Sequence, residues 1–135
     1  MSQKRFHINK ITPPRDLSVD IPIIQKLAAG YRLWHANLTN LPRLSRFTLG
    51  SKIDLLFYDA LELILLAGYS PREKKLSVVE RASTKLDALK FFLQIAWEMK
   101  VLDTRKYSQL TPPLVEVGKM LGGWRKQLMK NNPPK

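Results

Sequence analysis

The chain has no cysteine. That excludes disulfides, thiolate metal ligands and thiol nucleophiles, and it suits a reducing cytoplasm, which is the expected location. Histidine occurs only as His7 and His35, and no glutamate is followed by a histidine three residues on. The inward-facing Glu-x-x-His pairs of a di-metal carboxylate bundle are therefore missing, and no metal or other cofactor is expected. A Gly-rich phosphate loop, an HExxH motif and a supported Ser/His/Asp arrangement are lacking too, so no enzyme is expected. Asn-Gly and Asp-Gly hairpin turns are absent, as is sustained alternation of β-branched residues, which leaves no signal for strands. The longest apolar stretch, Leu55 to Ala67, is broken by Asp59 and Glu62 and falls short of the ~20 residues of a membrane span. The start of the chain is polar, basic and proline-containing, unlike a secretory signal. A soluble protein with no membrane partner is expected.

What is present begins with positive charge. The 135 residues hold 23 Lys+Arg against 11 Asp+Glu, a net charge of +12 and a pI near 10.2. Hydrophobic residues make up 44% and charged residues 25%, an ordinary balance for one globular domain. The cationic excess points to a polyanionic partner, nucleic acid or an anionic membrane surface, with solubility alone as the plain alternative.

Residues 1–19, with Lys4, Arg5, Lys10, Arg15 and Pro13-Pro14, are expected to be a flexible basic arm. Residues 131–135 are expected to be a disordered tail, leaving 20–130 as the domain. Four helical segments follow from the apolar periodicity. Asp20 can cap the first, with Pro22 in its first turn and Ile24, Leu27, Tyr31, Trp34, Leu38 and Leu41 on one face until Pro42. The second runs from near Phe47 to about Ala67, with Gly68 as its stop. Ser70-Pro71-Arg72-Glu73 is a capping box with proline at the first helical position, opening the third. Its core face is Val79, Ala82, Leu86, Leu89, Leu93 and Ala96. Asp103 can cap a turn before the fourth, which either starts at Thr111 or bends at Pro112-Pro113. The fold class is all-α, an up-down-up-down four-helix bundle. The second segment, and the third around Phe91, Phe92 and Ile95, are apolar nearly all round. A bundle has no central helix, so the surplus faces are expected to meet another subunit.

Candidate chemistry is sparse. His35 lies beside the core face, the place of a structural histidine, while Asp59 and Glu62 stand one turn apart and are expected in ion pairs. The cations are better organised. At 100° per residue, Lys74, Arg81 and Lys85 fall within about 40° on the third helix, and Lys119, Lys126 and Lys130 repeat the spacing on the fourth. Arg43, Arg46 and Lys52 form a third cluster around the first connection. Glu73, Glu80, Asp87 and Glu98 gather on another strip, so the signs are segregated. These nine cations are the candidate nucleic-acid contacts, directed at the backbone with weak sequence preference. Salt bridges between helices are the alternative use.

The fourth segment holds Gly118-Lys119-Met120-Leu121-Gly122-Gly123-Trp124 within a continuous seam of Leu110, Leu114, Val117, Leu121, Trp124 and Leu128. Each helical glycine costs about 1 kcal/mol against alanine. Gly118 and Gly122 are expected to permit close approach of another backbone, in the same subunit or a neighbour, while Trp124 anchors the core.

That segment, the run Leu86-Asp87-Ala88-Leu89-Lys90-Phe91-Phe92-Leu93, Tyr107, and Pro42 to Lys52 together resemble the Avd family, the accessory variability determinants of diversity-generating retroelements. The likeness covers roughly residues 20–130, with Pro112-Pro113 as a departure. The resemblance implies a four-helix bundle assembling into a homopentameric barrel with a basic exterior. It also implies binding to the retroelement's reverse transcriptase and to RNA and DNA, including the template RNA, in error-prone adenine-directed cDNA synthesis. Two alternatives stand beside it: the small bundle proteins encoded in ribosomal RNA intervening sequences, and a purely structural oligomer whose charge serves solubility.

Overall fold

The computed structural model describes residues 21–131. Every regular element among them is helical: α1 (Ile21–Ala36), a 3-10 turn (Leu38–Asn40), the short α2 (Arg43–Phe47), α3 (Leu49–Tyr69), α4 (Arg72–Glu98) and α5 (Thr104–Asn131). The long helices form a closed ring in which α3 packs on α1 and α4, and α5 on α4 and α1. The expected arm at 1–19, Asp20, His7 and residues 132–135 lie outside the described residues; Asn131, assigned to the tail, closes α5.

One core runs through the bundle. The expected face of α4, Val79, Ala82, Leu86, Leu89, Leu93 and Ala96, is buried throughout, and so is the seam of α5 from Leu110 to Leu128. In α1 the inward face is Ile23, Leu27 and Trp34, while Ile24 and Tyr31, like Leu38 in the 3-10 turn, are only partly covered. The first segment also ends earlier than expected, at Ala36, and the chain reaches Pro42 through the 3-10 turn.

The connections hold the departures. Ser70 does not cap α4. Its hydroxyl donates backward to the Leu66 carbonyl at 2.7 Å, and Pro71 supplies the carbonyl that accepts from the Lys74 and Lys75 amides. Lys75 instead reaches back over the end of α3, its Nζ donating to the carbonyls of Ala67 at 2.8 Å and Gly68 at 3.1 Å. A cation there suits the negative end of the helix dipole. Gly68 is inside α3, which continues to Tyr69.

The turn from α4 to α5 closes with Lys100 at φ 62°. The Val101 amide returns to the Ala96 carbonyl and the Lys100 amide to that of Trp97. This is a Schellman motif with lysine where glycine is usual. Asp103 Oδ1 then accepts from the Lys106 amide at 2.8 Å, capping α5 directly.

Helix α5 starts at Thr104 and passes through Pro112 and Pro113. The prolines withdraw donors from the carbonyls of Ser108 and Gln109, both exposed residues, so water can take those positions. Burial of Leu110, Leu114 and Val117, each worth about 1.5–3 kcal/mol, offsets the helix penalty of about 3 kcal/mol per proline.

The glycines of α5 behave differently from expectation within the subunit. A Cβ on Gly118 would meet only the side chains of Leu86 and Lys90, at 3.5 and 3.6 Å, and on Gly122 or Gly123 nothing within 4 Å. Among the described residues no backbone of another element approaches them, because they sit on the side and back of α5 while its leucines fill the seam. The helix does not fray there, and Trp124 and Leu128 remain buried beyond the pair. Close approach occurs instead at Gly50, where a Cβ would lie 3.3 Å from both the Ser45 carbonyl oxygen and Leu41 Cδ1.

Candidate nucleic-acid interface

The bundle keeps the expected cations apart as three groups. On α4, Lys74 and Arg81 are exposed and Lys85 half-buried, on the side that faces α3. Lys85 Nζ lies 3.4 Å from Asp59 Oδ2 on that helix. Arg81 and Lys85 line an open groove of about 360 Å³ together with Asp59, Glu62, Leu63 and Leu66. This row therefore shares its space with two carboxylates. Asp59 forms the expected ion pair, and Glu62 shares the groove.

On α5, Lys119, Lys126 and Lys130 are exposed on the side away from the core. No salt bridge engages them among the described residues. Lys119 also borders a groove of about 380 Å³ between α4 and α5, lined by Lys90, Asp87, Val115, Gly118 and Gly122. Lys90 was not singled out by sequence periodicity, since only the pairing of α4 with α5 brings it beside Lys119. Its partner is Asp87 at 3.7 Å. Arg125, also missed, pairs with Glu80 at 3.0 Å, joining α5 to the acidic strip of α4. That strip, with Glu73, Glu80, Asp87 and Glu98 exposed, runs along the outer face of α4 and divides the two lysine rows.

The third cluster splits. Arg43 is exposed. Arg46 folds into the connection, its Nη2 donating to the carbonyls of Thr39 and Leu41 at 3.3 and 3.2 Å. Its Nε is buried with no partner among the described residues. The guanidinium thus serves the loop, which periodicity could not foretell. Lys52 Nζ stands 5.7 Å from the centre of the Phe92 ring, within cation–π range.

The polar contact between α1 and α3 is structural. Trp34 Nε1 donates to Asp54 Oδ1 at 3.2 Å, and the Tyr31 and Tyr58 hydroxyls hydrogen-bond at 3.0 Å. Burial, then the Tyr58 hydrogen bond and the nearby Asp54 carboxylate, push the Tyr31 phenol above its usual range, so it stays protonated. His35 lies on the outer edge of this group, 3.4 Å from the Tyr31 hydroxyl.

Of the packing candidates, Trp124 is buried and Phe92 and Ile95 are half-buried, whereas Phe91 is exposed and touches Phe92 edge-on. Apolar exposure is greatest on α3, where Leu55, Tyr58, Leu65, Leu66 and Tyr69 are all exposed on the side opposite the core. Among the described residues no group of three His, Asp or Glu side chains could hold a metal ion, and no helix is long and apolar enough to cross a membrane.

The bAvd-like family model matches residues 23–128, which spans all four long helices. Neither a curated protein nor a solved structure matches the chain.

Proposed function

The chain belongs to the bAvd-like family, and on that premise we propose that it is a noncatalytic accessory protein of a diversity-generating retroelement. In this role it binds the reverse transcriptase and, through its basic surface, the template RNA and cDNA of mutagenic synthesis. The observation that supports nucleic-acid binding is the exposed row Lys119, Lys126 and Lys130 in a protein of net charge +12. A row of one sign, outside the acidic strip, suits successive phosphates and carries no base readout. The outer face of α3 adds self-association. Five large, mostly apolar side chains stand exposed there beside Glu62, with Asp59 at their edge, a surface that a soluble protein covers with a partner. The homopentamer implied by the family resemblance provides such cover.

Co-expression with the neighbouring reverse transcriptase tests this reading. The two proteins are expected to co-purify with RNA, and light scattering of the accessory protein alone is expected to give a multiple of the chain mass. An RNA-free protein that ignores the polymerase under gentle salt contradicts it.

A further inference from the structure

The outer face of α3 is ordered as a second seam. Leu55, Tyr58, Glu62, Leu65 and Tyr69 recur at alternating intervals of three and four, and all are exposed. That is the spacing by which one helix packs along another. The inward face of α3 is already taken by α1 and α4. Glu62 stands at the centre of the outer seam with Asp59 beside it, and no Lys or Arg occurs between Ile53 and Tyr69.

A groove of matching length lies elsewhere on the bundle. Two cavities, of about 300 and 380 Å³, follow the junction of α4 and α5 and share Lys90. Together they run from Tyr107 to Gly122 on α5, about 22 Å of helix, against about 21 Å from Leu55 to Tyr69. The α5 wall is low: Thr111, Val115, Gly118 and Gly122 succeed one another along it, and a Cβ on Gly122 would meet nothing within 4 Å. Phe91 and Val115 stand exposed on its walls. Its charges are Lys90 and Lys119 against Asp87, the reverse of the balance on α3. A shallow-walled apolar groove of this kind suits the ridge of a helix.

Two ways of covering α3 with a second copy then differ in charge. Pairing α3 with α3 about a two-fold axis at the seam's centre sets Glu62 against Glu62, a like-charge contact. Laying α3 in the groove sets Glu62 over Lys90, since each marks the middle of its surface.

We propose that the α4–α5 groove receives the outer seam of α3 from a second copy of this chain, with Glu62 meeting Lys90. Helices α3 and α5 are diagonal in the bundle, so the two surfaces lie on different sides of one subunit. The contact is therefore heterologous, each subunit using both surfaces, and it propagates until a ring closes. The inference rests on the self-association proposed above and names its surfaces. It also supplies the neighbour that Gly118 and Gly122 were expected to meet.

The test uses the full chain, with one substitution on each surface. Leu65→Lys spoils the seam and Val115→Lys the groove, both at exposed positions. In light scattering each variant alone is expected to fall to the mass of one chain, with its helical circular dichroism retained. Mixed in equal amounts, the two are expected to form a species of two chains, because one intact seam meets one intact groove and nothing is left to propagate. The chain has no cysteine, so cross-linking gives a second measurement in the assembled protein. Glu62→Cys and Lys90→Cys chains, co-expressed and treated with a short bismaleimide, are expected to join one to one, while neither joins to itself. Glu62→Cys joining to itself places α3 against α3 and overturns the proposal. Either lysine variant keeping the parent mass, or the mixture remaining single chains, overturns it too. In those outcomes the parent still has a multiple of the chain mass and the wider self-association survives. A parent protein with the mass of one chain removes both.

Discussion

Lys74, Arg81 and Lys85 on α4 repeat at the same intervals as Lys119, Lys126 and Lys130 on α5, yet the two rows stand in different surroundings. The α4 row borders a groove that holds Asp59 and Glu62, and Lys85 is paired with the former. The α5 row faces outward, and among the described residues no salt bridge engages it. Identical periodicity therefore yields one row partly neutralised by a neighbouring helix and one open to a polyanion. What separates them is which helix each packs beside, a tertiary fact.

The sharpest way to break this comparison is to remove each row in turn. Changing Lys119, Lys126 and Lys130 together to Gln is expected to weaken nucleic-acid binding about a hundredfold at low salt, taking about 1 kcal/mol per lost contact. Arg81→Gln with Lys85→Gln should cost much less, as measured by fluorescence anisotropy with a labelled RNA. Equal losses would erase the distinction.

A second difference lies in the helices that carry the rows. Helix α4 has no glycine, whereas α5 bears Gly122 and Gly123 in open space between Lys119 and Lys126. Gly122→Ala is expected to stabilise the subunit by about 1 kcal/mol in thermal or urea unfolding. Gly122→Leu is expected to disrupt assembly in light scattering if a neighbouring subunit uses that space. A destabilised Gly122→Ala variant with its mass unchanged would contradict the open geometry of the site.

Freeing the α4 row is a smaller perturbation. Asp59→Asn should leave Lys85 available to phosphate and raise affinity severalfold, while costing less than about 1 kcal/mol of stability because the pair is partly exposed. The smallest effect is expected at the boundary between the rows. Glu80→Gln removes the partner of Arg125, a pair about half exposed on both sides, and should change stability by no more than a few tenths of a kcal/mol. It should add Arg125 to the α5 row, visible as a slightly steeper salt dependence.

The core was legible because it depends on period alone. The faces of α4 and α5 repeat at helical spacing without exception from Val79 to Ala96 and from Leu110 to Leu128, and all are buried. The connections were less so. Ser70-Pro71-Arg72-Glu73 has the letters of a capping box, but the Ser70 hydroxyl found a nearer acceptor at the end of α3. Two prolines ordinarily stop a helix, and their tolerance in α5 follows from the leucine seam together with the exposure of Ser108 and Gln109, which local sequence does not disclose. Charge was legible as three clusters. Their separation by the acidic strip, the turning of Arg46 into its loop and the arrival of Lys90 beside Lys119 all require the helix pairing. The Trp97–Tyr107 stack spans ten residues across a turn, beyond the reach of any periodicity.

The central claim is that the open row on α5 binds phosphate. Its most direct test is the slope of log affinity against log salt for a short RNA, measured for the parent protein and for the Lys119/Lys126/Lys130→Gln variant. A linear dependence whose slope falls by about 3 in the variant, about one unit for each lost phosphate contact, is the predicted result. A slope that the three substitutions leave unchanged would contradict it.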